Sequence, residues 1–352
     1  MTQTAIPAGL GETFGLVAEA TVGTYVTPTR WIPHKKADMK LKKTTVQSQA
    51  LQGSRFEQAN RRVLVERSTT GAIDLEIADK QFGLLLAQGI GSTVAAVEEG
   101  SSGLYVQYHV PGYLEGNALS IQKGVPTIGG AIQAFSYAGN KIVDWTIAVQ
   151  RGGLAMLTLT TDGWTEVTAT SYTSATYLAG ASAPNLLNWS SGSLLTGGTV
   201  STSAGITTVA SGATPVGLVS SFSVKGTNKL AVDRFTLGSM VKAEQLTDGF
   251  TTITGDLEIE FANLTDFYTA FAADTPLALQ FNLTSPQTGS GAGTPFTNAG
   301  LYITIPSIRF NGDTPDAPGP GVIRVKVPFT GLLDSAGDPA IQLAYVSTDT
   351  TV

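Results

Sequence analysis

The stretch Ile253-Thr254-Gly255-Asp256-Leu257-Glu258-Ile259-Glu260-Phe261 alternates apolar and acidic side chains. A similar stretch, Thr69-Thr70-Gly71-Ala72-Ile73-Asp74-Leu75-Glu76-Ile77, occurs earlier in the chain. Alternation with a period of two is typical of a β-strand that buries one face and exposes the other. Each stretch therefore predicts a strand with an apolar face and an acidic face.

The neighbours of these two predicted strands are also similar, which indicates an internal repeat. Each strand is preceded by a polar stretch that predicts a long loop, over residues 43–66 and 238–252. Each is followed by a short helical pattern, with Asp79 and Asn263 as the expected N-caps. The apolar faces of the two helices are expected to be formed by Phe82, Leu85 and Leu86 and by Leu264, Phe267, Tyr268 and Phe271.

The repeat predicts the domain organisation. Gly255 lies 184 residues after Gly71, about half of the 352-residue chain, which favours a duplicated β-rich domain over one large sandwich. The uncharged stretch between Glu166 and Lys225 is rich in Ser, Thr and Gly and predicts short strands joined by turns. We expect an N-terminal arm (1–34), a first domain (35–166), an uncharged junction (167–220) and a second domain (221–352).

Composition excludes several classes of protein. The 27 acidic residues exceed the 21 basic ones, which argues against a nucleic-acid binder that is basic throughout. The absence of Cys excludes disulfides, thiolate zinc sites and thiol nucleophiles. No run of about 20 apolar residues predicts a membrane span, and the first residues do not resemble a signal peptide.

Charge is distributed unevenly along the chain. Residues 1–70 carry 10 basic and 5 acidic side chains, whereas residues 71–352 carry 11 and 22. A chain with this polarity can attract another copy of itself, since charge complementarity steers association and sets register. The alternative is a solvated basic loop without a partner.

Several motifs together resemble the major tail tube proteins of long non-contractile-tailed, siphovirus-type bacteriophages, and most closely the actinobacteriophage type. One lies near the N-terminus, Gly15-Leu16-Val17-Ala18-Glu19-Ala20-Thr21-Val22-Gly23-Thr24-Tyr25-Val26-Thr27-Pro28-Thr29. The second half contributes Ser221-Phe222-Ser223-Val224, Asn228-Lys229-Leu230, Asp233-Arg234-Phe235, Gly238, Lys242-Ala243-Glu244, Gly249 and the stretch from Ile253 to Phe261. Residues 90–140 and 170–215 do not take part in the resemblance.

The resemblance implies a mainly β protein with two tandem tail-tube-type β-sandwich or barrel domains, each with a flanking short α-helix and a long stacking loop. Such subunits join their sheets into rings, and the rings stack into a tube that delivers the genome to the host cell. A duplicated chain favours a trimeric ring with pseudo-six-fold symmetry, with a hexamer as the alternative. The implied partners are further copies, the tape measure, tail terminator and distal tail proteins, and DNA only transiently. The implied location is the virion, after synthesis in the host bacterial cytoplasm, and no cofactor is implied.

Two sets of residues are candidates for this role. A channel for DNA should not bind phosphates tightly, and an acidic lining meets that requirement. The predicted lumen-facing residues are Asp74, Glu76, Asp256, Glu258 and Glu260; the alternative for them is an ordinary outer surface.

The predicted ring-to-ring contacts are Arg55, Phe56, Arg61, Arg62 and Arg67, since Arg and aromatic residues are enriched at interface hot spots. The alternative for these is a free surface loop.

Enzymatic activity is not expected. Glu258 and Glu260 could in principle form a carboxylate pair, but alternating acids on exposed strands are common. No nucleophile elbow, phosphate-binding loop or metal-ligand spacing occurs in the sequence. The rival to a tube protein is a non-catalytic β-sandwich adhesin or carbohydrate-binding module, whose composition would be similar.

Overall fold

The computed structural model describes residues 9–51, 53–203, 206–261, 267–289, 296–316, 319–334 and 336–352. In this part of the chain the fold is mainly β, which confirms the expected class, with 21 strands and two α-helices. The first half contains β1 (Thr13–Ala18), β2 (Arg30–Trp31), β3 (Lys36–Gln47), β4 (Arg62–Glu76), α1 (Gly83–Ile90), β5 (Gly91–Thr93), β6 (Val97–Glu98), β7 (Tyr105–Pro111), β8 (Leu119–Pro126), β9 (Ile132–Gln150), β10 (Met156–Gly163) and β11 (Thr165–Val167). The rest contains β12 (Gly192–Thr196), β13 (Thr199–Ser203), β14 (Ile206–Ser211), β15 (Thr214–Pro215), β16 (Val219–Thr227), β17 (Thr252–Glu260), α2 (Tyr268–Ala272), β18 (Leu277–Thr288), β19 (Asn298–Phe310), β20 (Arg324–Gly331) and β21 (Gln342–Ser347).

The two quoted stretches form β4 and β17, as the alternation predicts. Ile73 and Leu75 are 1 % and 0 % exposed, whereas Asp74 and Glu76 between and after them are only half-buried. In β17 the apolar residues are again buried and the acidic ones half-buried. Burying one face of each strand supplies the apolar core, which connects the two halves in one cluster.

One antiparallel sheet runs through both halves of the chain. Its central strands pair in the order β3-β4-β10-β9-β16-β17-β20. The N-terminal part of β9 leaves this row and pairs with β8, which pairs with β1. At the other end β19 pairs with β18, β20 and β21, and β21 pairs with β7.

The same order of pairing occurs twice. In the first half it is β3-β4-β10-β9-β8, and in the second half it is β16-β17-β20-β19-β18. Gly71 on β4 and Gly255 on β17 occupy equivalent places in the two series. Among the described residues, the one pairing that joins the two series directly is β9 with β16.

Both helices follow their strands as expected, but the N-cap prediction for α1 is wrong. The helix begins at Gly83, and Phe82 stands at the N-cap without a side-chain hydrogen bond. The carboxylate of buried Asp79 instead accepts hydrogen bonds from the Asn185 amide N (2.8 Å) and side-chain Nδ2 (2.7 Å), and from Ser285 Oγ (2.6 Å). Asp79 therefore connects the first half to the uncharged segment through Asn185 and to the second half through Ser285.

The second helix is shorter than α1. Phe267 precedes it and packs edge-on against Phe310, with the ring centroids 5.2 Å apart. The expected N-cap Asn263 and the expected core residue Leu264 lie outside the described residues.

The predicted loop over residues 43–66 is largely a hairpin. β3 continues to Gln47 and β4 begins at Arg62, so only residues 48–61 connect the strands. The sequence alternation is weak there because neither face of the outer hairpin is buried. The second predicted loop, over 238–252, is irregular until β17 starts at Thr252.

The uncharged segment forms short strands and turns, as its composition predicts. β12 pairs with β18 and extends the second series, and β13 and β14 form a separate two-stranded sheet. Before β12, buried Leu187 donates its amide to Ile77 O (2.9 Å) and accepts from the Ala155 amide (2.9 Å). The segment thus connects the first series to the second.

Candidate assembly surfaces

The five predicted lumen residues lie on one polar face of the central sheet. The register runs from Glu76 to Met156, Ala148, Ser223 and Asp256 across five adjacent strands. Because neighbouring strands are about 4.8 Å apart, Glu76 and Asp256 lie roughly 19 Å from each other in the same row. The acidic residues of both halves therefore share a continuous surface, which the sequence did not show.

Basic side chains lie among these carboxylates. Lys326 Nζ is 3.3 Å from Asp256 Oδ1, and Arg324 is 3.7 Å from Glu260. Asp74 Oδ1 accepts a hydrogen bond from Thr158 Oγ1 at 2.9 Å. The face is therefore mixed, with cations placed among its carboxylates.

The sequence reasoning missed these cations, although the signal was present. Arg324 and Lys326 alternate with Val325 and Val327 along β20, the same period of two that identified the acids on β17. What the sequence could not show is that β20 pairs with β17, which places Glu258 opposite Lys326.

The predicted ring-to-ring residues lie on the β3–β4 hairpin. We call residues 44–66 of this hairpin the arm, which is separate from the expected N-terminal arm (1–34). Arg55 and Phe56 lie in its connecting loop, and the Phe56 side chain is 84 % exposed. Arg61 ends a short 3-10 turn, and Arg62 begins β4 and donates to Thr45 Oγ1 (3.1 Å). The structure thus brings four of the five residues together on the arm.

Arg67 lies at the base of the arm and has a different environment. Its backbone amide donates to Met240 O (2.7 Å), and it forms a β-bridge with Val241. The segment before β17 therefore supports the base of the arm. Further out the arm exposes apolar side chains that the sequence reasoning did not select, among them Leu51, Val63 and Val46.

Two buried lysines fix the segment between β16 and β17 to the first half of the chain. Lys242 Nζ contacts both oxygens of Asp162 at 2.7 Å, and Lys141 Nζ is 2.6 Å from Glu244 Oε1. Burial raises the pKa of Glu244, but the hydrogen bond and charge of Lys141 together with the Gly116 backbone amide outweigh it, so the net shift is downward. The sequence reasoning missed both pairs. Only 14 % of the residues are charged, so each lysine near an apolar stretch was a possible member of a buried ion pair.

Neither a metal centre nor a membrane helix emerges from the described residues. No group of three or more His, Asp or Glu side chains in the described ranges is arranged to hold a metal ion. Within the same ranges, neither helix has the length and apolar character required to cross a membrane.

A comparison with protein families matches residues 9–331 to the family described as phage tail tube protein. No curated protein matches the chain. The family match covers nearly the whole chain and favours a structural tube protein over the adhesin or carbohydrate-binding alternative. The chain belongs to the phage tail tube protein family, whose members are structural components of the virion that assemble into a tube.

Proposed function

We propose that this protein forms the tail tube of a siphovirus-type, long non-contractile tail, and that the tube is the channel for genome delivery. The motifs resemble those of actinobacteriophage tube proteins, which supports a phage of that type. The observation that carries the proposal is the continuous polar face to which both halves of the chain contribute Asp and Glu side chains. No catalytic role is part of this proposal.

The repeated pairing order supports a trimeric ring. Each chain carries two equivalent series of strands that already lie side by side through β9 and β16. Three chains would supply six such series and close them with pseudo-six-fold symmetry. Closure removes the open sheet edges that each series would otherwise leave. A ring of six chains is the alternative. The duplicated-domain boundaries at residues 34, 166 and 220 are part of the same proposal.

The mixed face suits the lining of a DNA channel. DNA binds proteins mainly through phosphate contacts with Lys and Arg, which release counterions. Here Lys326 and Arg324 already face Asp256 and Glu260, so their charge is partly neutralised before DNA arrives. Such a lining offers DNA cations that are already paired with carboxylates, and contact would be transient.

The arm is proposed to join neighbouring rings. It exposes Phe56, Leu51 and three arginines, a combination that fits an apolar anchor with a charged surround. At the ends of the tube the same surfaces would meet the distal tail and tail terminator proteins, and the lumen would hold the tape measure protein before ejection. Synthesis in the host bacterial cytoplasm completes the proposal.

Electron microscopy of the purified full chain tests the proposed function. We expect hollow tubes of stacked rings with three chains in each ring, the arm between rings and the Asp256 face on the lumen. Rings of six chains would reject the trimer, and tubes with the carboxylates on the outer wall would reject the lining. A discrete monomer at every concentration, also when seeded with fragments of tail, would reject the tube.

A further inference from the structure

We propose that neighbouring chains in the ring join through β3 of one copy and residues 311–316 of the next, in the register of the internal β9–β16 pairing. This inference rests on the proposed ring and names the surface of its partner, a second copy of the chain. It follows from the repeat, because the contact inside one chain is a template for the contact between chains.

The equivalence of positions can be read from the strand registers. Met39 is opposite Gly71, and Val224 is opposite the equivalent Gly255. The edge of β16 from Ser221 to Thr227, which pairs with β9, therefore corresponds to the edge of β3 from Lys36 to Lys42. Among the described residues, β3 pairs with β4 alone.

Residues 311–316 form the other side of the contact, which the strand registers also identify. Asp144 on β9 is opposite Thr160, whose equivalent on β20 is Pro328. The Asn311 backbone N–H donates to Pro328 O at 2.7 Å, which places Asn311 opposite Pro328. Asn311 is therefore the equivalent of Asp144, which is opposite Thr160. Residues 311–316 then correspond to the part of β9 that pairs with β16. They follow the end of β19 without forming a strand in the single chain.

An apolar groove lies beside this segment. Its lining includes Phe267, Phe271 and Val325, together with Asn311 and Pro315 of this segment. In the first half α1 packs against the extended β9, whereas β19 ends at Phe310. Straightening residues 311–316 against β20 would cover the groove, and the partner's β3 edge would hold the segment in that conformation.

Side-chain sizes match across the predicted contact. Inside the chain Trp145 is opposite Gly226, where a Cβ atom would lie only 2.3 Å from the Trp145 ring. The equivalent pair between chains is Gly312 and Leu41. A large residue again faces a glycine, with the two sizes exchanged between the strands.

Charges match as well. Inside the chain Lys225 is opposite Thr146 and lies 3.9 Å from Asp144. The equivalent pair between chains is Lys40 opposite Asp313, both of them exposed. Opposite charges directly across an antiparallel pair are stabilising.

The β3 edge is protected while the chain is alone. Lys123 Nζ donates to Ala37 O (2.8 Å), and Tyr137 Oη donates to Met39 O (3.2 Å). Side chains at a strand edge discourage pairing with unrelated chains. Each carbonyl oxygen has a second lone pair, so these contacts are compatible with a partner strand.

Disulfide trapping in this cysteine-free chain tests the contact. Asn228 N donates to Val143 O and Arg151 N to Ser220 O, so Thr146 and Lys225 form a non-hydrogen-bonded pair. Such pairs have Cα atoms about 4.5 Å apart, within the range for a disulfide. The variant Lys40→Cys/Asp313→Cys should therefore cross-link between chains in oxidised tubes and give a ladder that ends at the closed ring.

Two controls use the same chain. Thr146→Cys/Lys225→Cys should form the disulfide within one chain and shows that the geometry is permitted. Lys42→Cys/Asp313→Cys shifts the register by two residues, about 6.6 Å along the strand, and should cross-link about tenfold less. Tubes that form without the Lys40–Asp313 cross-link, or that favour the shifted pair, would overturn the contact.

Exchanging the charges of Lys40 and Asp313 tests the same contact without a disulfide, and so applies if the cysteine variants do not assemble. Lys40→Asp should reduce tube yield, and adding Asp313→Lys in the same chain should restore it. Failure of the second substitution to restore assembly would also overturn the contact. If the unsubstituted chain forms no ring at all, the proposed function is rejected and the contact with it, whereas tubes with another register reject the contact alone.

Discussion

The Lys242 ammonium lies 2.7 Å from both carboxylate oxygens of Asp162, and the lysine side chain is 2 % exposed. The pair ties the segment between β16 and β17 to the end of β10. A buried pair of this kind contributes little over an apolar pair, but removing one partner leaves an uncompensated buried charge.

Lys242→Met should therefore destabilise the protein by about 3–5 kcal/mol. The free energy of unfolding, measured by urea denaturation, checks this value. The matched control is Lys326→Met, whose exposed pair with Asp256 should be worth no more than about 1 kcal/mol. Equal losses of unfolding free energy in the two variants would show that burial of the Lys242–Asp162 pair does not increase the cost of removing the lysine.

Stability should fall in mild acid because of His109. Burial lowers the pKa of this fully buried histidine to about 3. The unfolded chain binds a proton near pH 6.5, whereas the folded chain does so only near pH 3. Stability therefore decreases as the pH falls below about 6.5, by up to about 1.4 kcal/mol per pH unit.

His109→Gln removes this titration and should flatten the decrease. Melting temperatures of both proteins at pH 7.5 and pH 5 are the measurement. The other histidine, His34, also has a lowered pKa, mainly through burial, which the Glu12 carboxylate opposes. His34→Gln should therefore flatten the decrease less than His109→Gln and serves as the comparison. An unchanged acid sensitivity in His109→Gln would contradict the assignment.

Charge reversal on the arm should separate folding from assembly. Arg61→Glu/Arg62→Glu changes two exposed residues, so the free energy of unfolding should change by no more than about 0.5 kcal/mol. Tube yield, measured by sedimentation, should fall strongly. Arg61→Lys/Arg62→Lys keeps the charge and should retain most of the yield. Normal tubes from the reversed variant would leave the arm as a free surface hairpin.

Neutralising the carboxylates should make the proposed lumen bind DNA. In Asp256→Asn/Glu258→Gln/Glu260→Gln the cations Lys326 and Arg324 lose their acidic partners but remain in place. Tubes should still form and should retain short duplex DNA in sedimentation at low salt, with release as salt rises. Glu98→Gln/Glu99→Gln, at the end of β6 and just after it, lies outside this face and is the control. Equal DNA retention by both variants would argue against the lining.

Local sequence determined the elements that depend on neighbouring residues. The alternation from Ile253 to Phe261 predicted β17 and its two faces, because side chains point alternately up and down along any strand. The same reasoning predicted β4 and the helices α1 and α2 that follow. It failed for Asp79, because its partners Asn185 and Ser285 lie far away in the sequence.

Only the tertiary structure decided how the strands meet. The sequence showed acids on β4 and on β17, but the pairings through β10, β9 and β16 place them on one face. The same pairings set Lys326 beside Asp256. The physical reason is that a strand's pattern fixes which of its faces is buried, whereas its partners are chosen by contacts between residues far apart in the chain, which no local period records.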